Sequence, residues 1–248
     1  MSKRPTGKGQ KRGKSAGGVA GSREARQRVK TARGRSNSST RWLERQLNDP
    51  YVAAAKRDGY RSRAAYKLRE IDDRFRFLKK GARVVDLGST PGGWTQVCVE
   101  RIFGTGGPAA SAGERGIIVA VDINEMEPVT GAKFLQLDFL DNAAPALVKQ
   151  ALGGQADVIL SDMAAPATGH RATDHLRVMA LCEVALLFAI EVLAVGGALC
   201  AKVLRGGADT EILNRLKQEF SEVRHYKPES SRSDSKEIYV VATGFKDR

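Results

Sequence analysis

Cysteine and histidine are scarce in this sequence: three cysteines (Cys98, Cys182, Cys200) and three histidines (His170, His175, His225) are all that 248 residues supply. No two cysteines stand at CxxC spacing and no HExxH occurs, so neither a disulfide framework nor a zinc-site pattern is available, and no metal is expected. A reduced, cytoplasmic protein is the simplest expectation. Long apolar runs are missing too. The most apolar stretch, 176–200, is interrupted by Arg177, Glu183 and Glu191, and it reads as a buried helix running into a strand rather than a membrane span. The N-terminus has no apolar core of a secretory signal. It is Arg-rich and acid-poor like a transit peptide, but it offers no large apolar residue for an amphipathic face between Met1 and Val19, so organelle import is the lesser alternative.

Acidic residues are nearly absent from one region only. Residues 1–41 hold 13 Lys/Arg against a single acid, Glu24, a net +12, whereas the remaining 207 residues sum to +1. The chain as a whole is therefore not a histone-like polycation. A basic segment so poor in apolar side chains cannot offset its ordering entropy, so 1–38 is expected to be a disordered tail. Its partner would be a polyanion, nucleic acid or an anionic surface; a mere solubility role is the plainer alternative. Residues 39–248 are enough for one large α/β domain with a sizeable core.

Within that body, 42–56 reads as helical. From Arg61 to Lys80, Ala64, Leu68, Ile71, Phe75 and Leu78 recur at alternating four- and three-residue steps, which places them on one helical face. Arg63, Lys67 and Arg74 fall on a neighbouring face, and residues 56–80 carry ten Lys/Arg against four Asp/Glu. This is the one strongly basic patch in the body, either an RNA-facing surface or an ordinary solvated helix face. Beyond residue 82, β-branched runs alternate with helical stretches. Strands are predicted at 82–87, 117–122, 133–137, 156–161, 198–204, 222–227 and 238–243, and helices at about 93–103, 141–151, 173–194 and 209–220. Such alternation implies parallel strands joined by right-handed crossovers, a doubly wound sheet. The connection 228–236 is too short for a crossover helix, so the last two strands should pair antiparallel. The Gly-rich stretch 104–115 is expected to be an exposed loop insertion.

The first strand runs into Asp86-Leu87-Gly88-Ser89-Thr90-Pro91-Gly92-Gly93-Trp94, directly before a helix. A dinucleotide site requires GxGxxG so that backbone amides can hold a pyrophosphate. Here the spacing is GxxxGG, Pro91 removes a donor, and an acid stands within the strand, a pattern suited to a ligand without phosphate. S-adenosylmethionine is such a ligand. Glycines admit its carbon surface, and acids accept from its amine and hydroxyls. Asp122 ends the second strand, where it can accept from a ribose diol, and Asp138 follows the third, where it can accept from an adenine amine. Each alone could be a helix cap. Asp86, Gly88, Gly92, Gly93, Asp122 and Asp138 are the candidate cofactor residues of this pattern.

Four further polar residues gather at the same edge. Asp162 ends the fourth strand, Lys202 lies in an apolar strand where a solvated lysine would be out of place, Glu237 begins an antiparallel last strand, and Lys67 stands on the basic helix. Structural salt bridges are the plain alternative. The blocks Arg61-Ser62-Arg63-Ala64-Ala65-Tyr66-Lys67-Leu68, Val85-Asp86-Leu87-Gly88 with Pro91-Gly92-Gly93-Trp94, Ser161-Asp162-Met163-Ala164, Ala201-Lys202-Val203, and Ser231-Arg232 with Lys236-Glu237-Ile238-Tyr239-Val240-Val241-Ala242 together resemble the RrmJ/FtsJ ribosomal RNA large subunit methyltransferase family (RlmE), in collinear order over about 39–245. The resemblance implies a Rossmann-like class I S-adenosylmethionine-dependent methyltransferase, with a seven-stranded sheet and its last strand antiparallel. It implies methyl transfer to the ribose 2'-hydroxyl of a uridine in the A-loop of 23S rRNA, within the 50S subunit or its precursor. It implies a catalytic tetrad at Lys67, Asp162, Lys202 and Glu237, and cofactor contacts at Gly92, Trp94, Asp122, Asp138 and Asp162. RNA phosphates would be met by Arg61, Arg63, Lys67 and Arg74, and a monomer is expected. Ser89-Thr90 departs from the Ala-Ala often found in the family's turn. Two other classes compete: an assembly factor that binds the cofactor without chemistry, which has no need of Lys202, and an NAD(P) oxidoreductase, which the missing GxGxxG opposes.

Overall fold

The computed structural model describes residues 37–104, 107–110, 116–166, 168–205 and 210–247. The basic tail expected over 1–38 lies outside the described residues except for Asn37 and Ser38, which open helix α1 (Asn37–Leu47). The chain divides at Pro50 into two units, and α1 belongs to the first.

The second unit follows the predicted alternation. Its elements are α2 (Pro50–Arg57), α3 (Ala64–Phe75), β1 (Arg83–Leu87), α4 (Gly93–Phe103), α5 (Gly107–Ala110), β2 (Ile117–Asp122), β3 (Lys133–Gln136), α6 (Ala144–Leu152), β4 (Ala156–Ser161), α7 (Arg171–Val192), β5 (Leu193–Leu204), α8 (Thr210–Glu219), β6 (Phe220–Tyr226) and β7 (Glu237–Phe245). The seven strands form one sheet in the order β3-β2-β1-β4-β5-β7-β6, and β7 is antiparallel to both neighbours. The strand order reverses between β1 and β4, which opens a crevice at the carboxyl ends of the strands.

Both faces of the sheet are covered, so the central strands are apolar on both sides. Val85, Leu87, Leu199, Ala201 and Val240 pack into one layer with residues of α6, α7 and α8. Val84, Leu160, Cys200, Tyr239 and Val241 pack into the other with Leu68 and Ile71 of α3 and Val97 and Ile102 of α4. Leu68 and Ile71 are wholly buried, and such burial contributes about 1.5–3 kcal/mol per side chain.

Several predicted boundaries shift. The helix expected over 42–56 is two helices, because Pro50 disfavours a helical residue before it and starts α2 instead. The pattern read as helical to Lys80 outlasts α3: Arg76 turns left-handed at φ 54° and ends the helix, yet Leu78 stays buried in the same layer, held by its amide donating to Asp72 Oδ1 at 2.9 Å. The insertion expected to be loop throughout contains the one-turn helix α5, and its residues 105–106 and 111–115 lie outside the described residues. No helix among the described residues is long and apolar enough to cross a membrane.

Candidate active site

Strand parity decides which polar side chains meet. In β4, Val158 and Leu160 face α3 and α4, and Asp162 follows at the same parity. In β5, Ala198 and Cys200 share that face, and so does Lys202. In β7, Tyr239 and Val241 do, and so does Glu237. The β5–β7 register sets Lys202 opposite Tyr239 and Leu204 opposite Glu237. Helix α3 crosses this face and brings in Lys67. The outcome is a continuous chain of polar contacts. Lys67 Nζ lies 3.4 Å from Glu237 Oε2 and donates to the Tyr239 hydroxyl at 3.2 Å. That hydroxyl donates to Asp162 Oδ1 at 2.7 Å. The same Oδ1 is 2.9 Å from Lys202 Nζ, which also donates to the Asp162 carbonyl at 2.8 Å. The structure thus brings Lys67, Asp162, Lys202 and Glu237 together and adds Tyr239, which sequence reasoning missed. Its signal was the period of two: Tyr239 follows Glu237 on the same face of one strand.

Burial alone would push the Lys202 ammonium down, since its side chain is only 7% exposed, but Asp162 and Glu237 outweigh this and hold its pKa above the ordinary value. Burial would likewise raise the Asp162 carboxyl. Lys202, Lys67 and the Tyr239 hydroxyl reverse this and hold it below the usual range. At neutral pH the pair is therefore ammonium and carboxylate. Asp162's depressed pKa contributes stability that is lost as pH falls through it, and Lys202's raised pKa contributes stability that is lost as pH rises through it.

Beside this cluster lies the glycine turn. Gly88 has φ +76°, and a Cβ there would stand 2.7 Å from the backbone of Met163. Gly92 has φ +106° and opens α4, with Met126 Sδ where its Cβ would press. Only glycine permits both the conformation and the approach. Asp86 is wholly buried. One of its oxygens accepts from Thr95 Oγ1 at 2.7 Å, while among the described residues neither Oδ1 nor the buried hydroxyl of Ser89 has a hydrogen-bond partner. Burial first, with Asp162 and Asp122 adding to it against the Thr95 bond, pushes the Asp86 carboxyl up to about 7. Asp122 braces the turn: Oδ2 accepts from the Thr90 amide at 2.9 Å, and Oδ1 from the Asn124 amide at 2.8 Å. Asp138 accepts from the Leu140 amide at 2.9 Å. Ile123 and Leu140, each adjacent to one of these acids or one residue beyond it, are 61% and 58% exposed. Trp94 is buried; its indole donates to the Ala64 carbonyl at 2.8 Å, and its ring packs on Tyr239 with centroids 5.5 Å apart. Trp94 thus packs beneath α3 and against the ring of Tyr239 rather than standing open to the crevice.

The basic residues expected to meet RNA make contacts within the protein. The Arg61 guanidinium donates to the carbonyls of Pro91, Glu127 and Pro128, tying the glycine turn to the segment after β2. Arg63 donates to the Ser230 carbonyl. Arg74 lies over the Tyr226 ring at 5.3 Å. Residues 63, 67 and 74 therefore form one stripe against the β6–β7 hairpin, and Arg74 alone of the three is exposed.

Comparison with known proteins agrees with this geometry. The FtsJ-like methyltransferase family model matches residues 60–245. The ribosomal RNA large subunit methyltransferase E of Parvibaculum lavamentivorans is 62% identical over 98% of this chain and 96% of its own. The protein of the same name from a Ruegeria species is 55% identical over 99% and 100%. A crystal structure described as a ribosomal RNA methyltransferase of Plasmodium falciparum superposes with a TM-score of 0.64 at 31% identity, covering 76% of this chain and all of the other. The methyltransferase fold, the collinear motifs and these relatives lead to one conclusion: the chain belongs to the FtsJ-like methyltransferase family.

Proposed function

We propose that this enzyme transfers a methyl group from S-adenosylmethionine to the ribose 2'-hydroxyl of a uridine in the A-loop of 23S rRNA, acting in the cytoplasm on the 50S subunit or its precursor. The relatives' names support the RNA substrate. The observation that carries the chemistry is the buried Lys67–Tyr239–Asp162–Lys202 chain beside a nucleotide turn built without phosphate donors.

The pocket fits the donor. Asp86 Oδ1 and Ser89 Oγ are buried acceptors without hydrogen-bond partners among the described residues, Gly88 and Gly92 leave room where a Cβ would intrude, and Asp122 and Asp138 retain acceptor capacity at the next two strand ends. Ile123 and Leu140 provide apolar walls for an adenine. When bound, S-adenosylmethionine supplies an activated, cationic methyl group. The remaining work falls to the chain: to align the ribose oxygen and to take its proton. Lys202 is the base. It is an ammonium in the free pocket, so it must shed its own proton first; Lys67 and a bound cation favour that loss, while Asp162 and Glu237 oppose it and fix the amine's position. As the oxygen–carbon bond formed, the donor's sulfur–methyl bond would break with its electron pair left on sulfur, and neutral Lys202 would take the hydroxyl proton.

Because burial pushes the Asp86 carboxyl up to about 7, cofactor affinity should depend on pH. A cation binds the ionised form, so affinity should rise with pH and level off above about 7, falling by up to about tenfold per unit below it. Calorimetric Kd values from pH 5.5 to 8.5 should show this bend and lose it in Asp86→Asn; a flat wild-type profile would contradict the assignment. The function itself is tested by transfer from methyl-labelled cofactor to large subunits lacking the modification, followed by nucleotide mapping. Label on a uridine 2'-oxygen is expected. Label on a base nitrogen or on protein would reject the reading.

A further inference from the structure

Three exposed cations of the basic segment lie at the other edge of the sheet. Arg76, Lys79 and Lys80 are all exposed and together line two open grooves, one of about 410 Å³ and one of about 590 Å³. The first groove also contains Gly81 and Ala82, which precede β1, and Thr243 near the end of β7, so it opens at the amino ends of the parallel strands, opposite the catalytic residues. From Lys67 to Arg76 the chain runs nine residues along α3, about 14 Å.

What marks this corner is an excess of positive charge. Of the acids lining the grooves, Asp72 and Asp73 pair with Arg101, which leaves Asp157 against the three cations of the first groove. None of Arg76, Lys79 and Lys80 has a carboxylate within 4.0 Å among the described residues. Arg76 is also the only described non-glycine residue with positive φ, at a helix end where glycine is the usual choice. By contrast, the guanidiniums of Arg61 and Arg63 are occupied by backbone carbonyls.

We infer that Arg76, Lys79 and Lys80 form a second RNA contact, which grips the sugar–phosphate backbone of the large-subunit RNA away from the reacting nucleotide. The inference rests on the RNA reading above and extends it from the catalytic edge to the opposite one. Backbone contacts of this kind orient the enzyme without reading sequence and are weakened by salt.

The test uses the full chain and the variant Arg76→Gly/Lys79→Ala/Lys80→Ala, which changes exposed side chains only and relieves the strained φ. Methyl transfer to large subunits lacking the modification is measured between 50 and 200 mM KCl. The variant's KM should rise about tenfold at 50 mM, and the slope of log KM against log salt should fall by about 2, with kcat and cofactor Kd unchanged. Equal KM and equal slope for the two proteins would overturn the inference. Filter binding to protein-free ribosomal RNA should show the same loss; a defect confined to intact subunits would assign the corner to a ribosomal protein and overturn it as well. No transfer by the wild-type chain would remove the function reading itself, and this inference with it.

Discussion

Lys202→Met should lower single-turnover methyl transfer by about 10³-fold, the scale of a lost general base, while leaving the cofactor Kd within about a factor of three. Methionine matches the length of the lysine stem and its buried apolar surroundings, so the pocket keeps its shape and loses the amine. The raised pKa of Lys202 adds a second signature. The reactive form is the neutral amine, a small fraction at pH 7, so wild-type log kcat/KM should climb with pH at a slope near 1 across the neutral range. A near-normal single-turnover rate in the variant, or a flat wild-type pH profile, would show that the proton leaves by another route.

Asp162→Asn should have the largest effect on stability, about 3–5 kcal/mol, because it leaves a buried ammonium without its carboxylate. Among the described residues Asp162 is the only carboxylate in an ion pair with Lys202, at 2.9 Å; Glu237 pairs with Lys67. With the partner removed, burial dominates and the Lys202 pKa falls. The double variant Asp162→Asn/Lys202→Met removes both charges and should regain most of the loss, which urea unfolding of the two single variants and the double variant would reveal. Additive losses would mean that the two groups do not depend on each other. Cofactor binding should weaken in Asp162→Asn and stay close to normal in Lys202→Met, since Asp162 sits at both the cofactor crevice and the catalytic cluster.

The strands and the strand-end acids were legible because they depend on local pattern: β-branched runs set β1, β2 and β4, and their last residues necessarily reach the crevice. Lys202 and Glu237 were legible as misfits, a cation in an apolar strand and an acid at the start of another. Tyr239 was not, because an aromatic residue in a buried strand looks like core until the β5–β7 register puts its hydroxyl between Lys67 and Asp162. The partners of Arg61 and Arg63 were not legible for a related reason. Their charge is visible in the sequence, but the carbonyls they meet stand 30 residues or more away in the chain. Helical periodicity also overran at Leu78, because a residue can remain in the core after its helix has ended.

The place of β7 between β5 and β6 has a consequence for synthesis. Strands are made in one order and assembled in another: β6 leaves the ribosome before β7 but has no sheet partner until β7 inserts beside β5. Glu237 and Tyr239 arrive on that same late strand. A polypeptide interrupted before residue 237 therefore has an unpaired β6 and a candidate site lacking two of its polar groups. The polar chain from Lys67 to Lys202 is complete only once the sheet itself is closed.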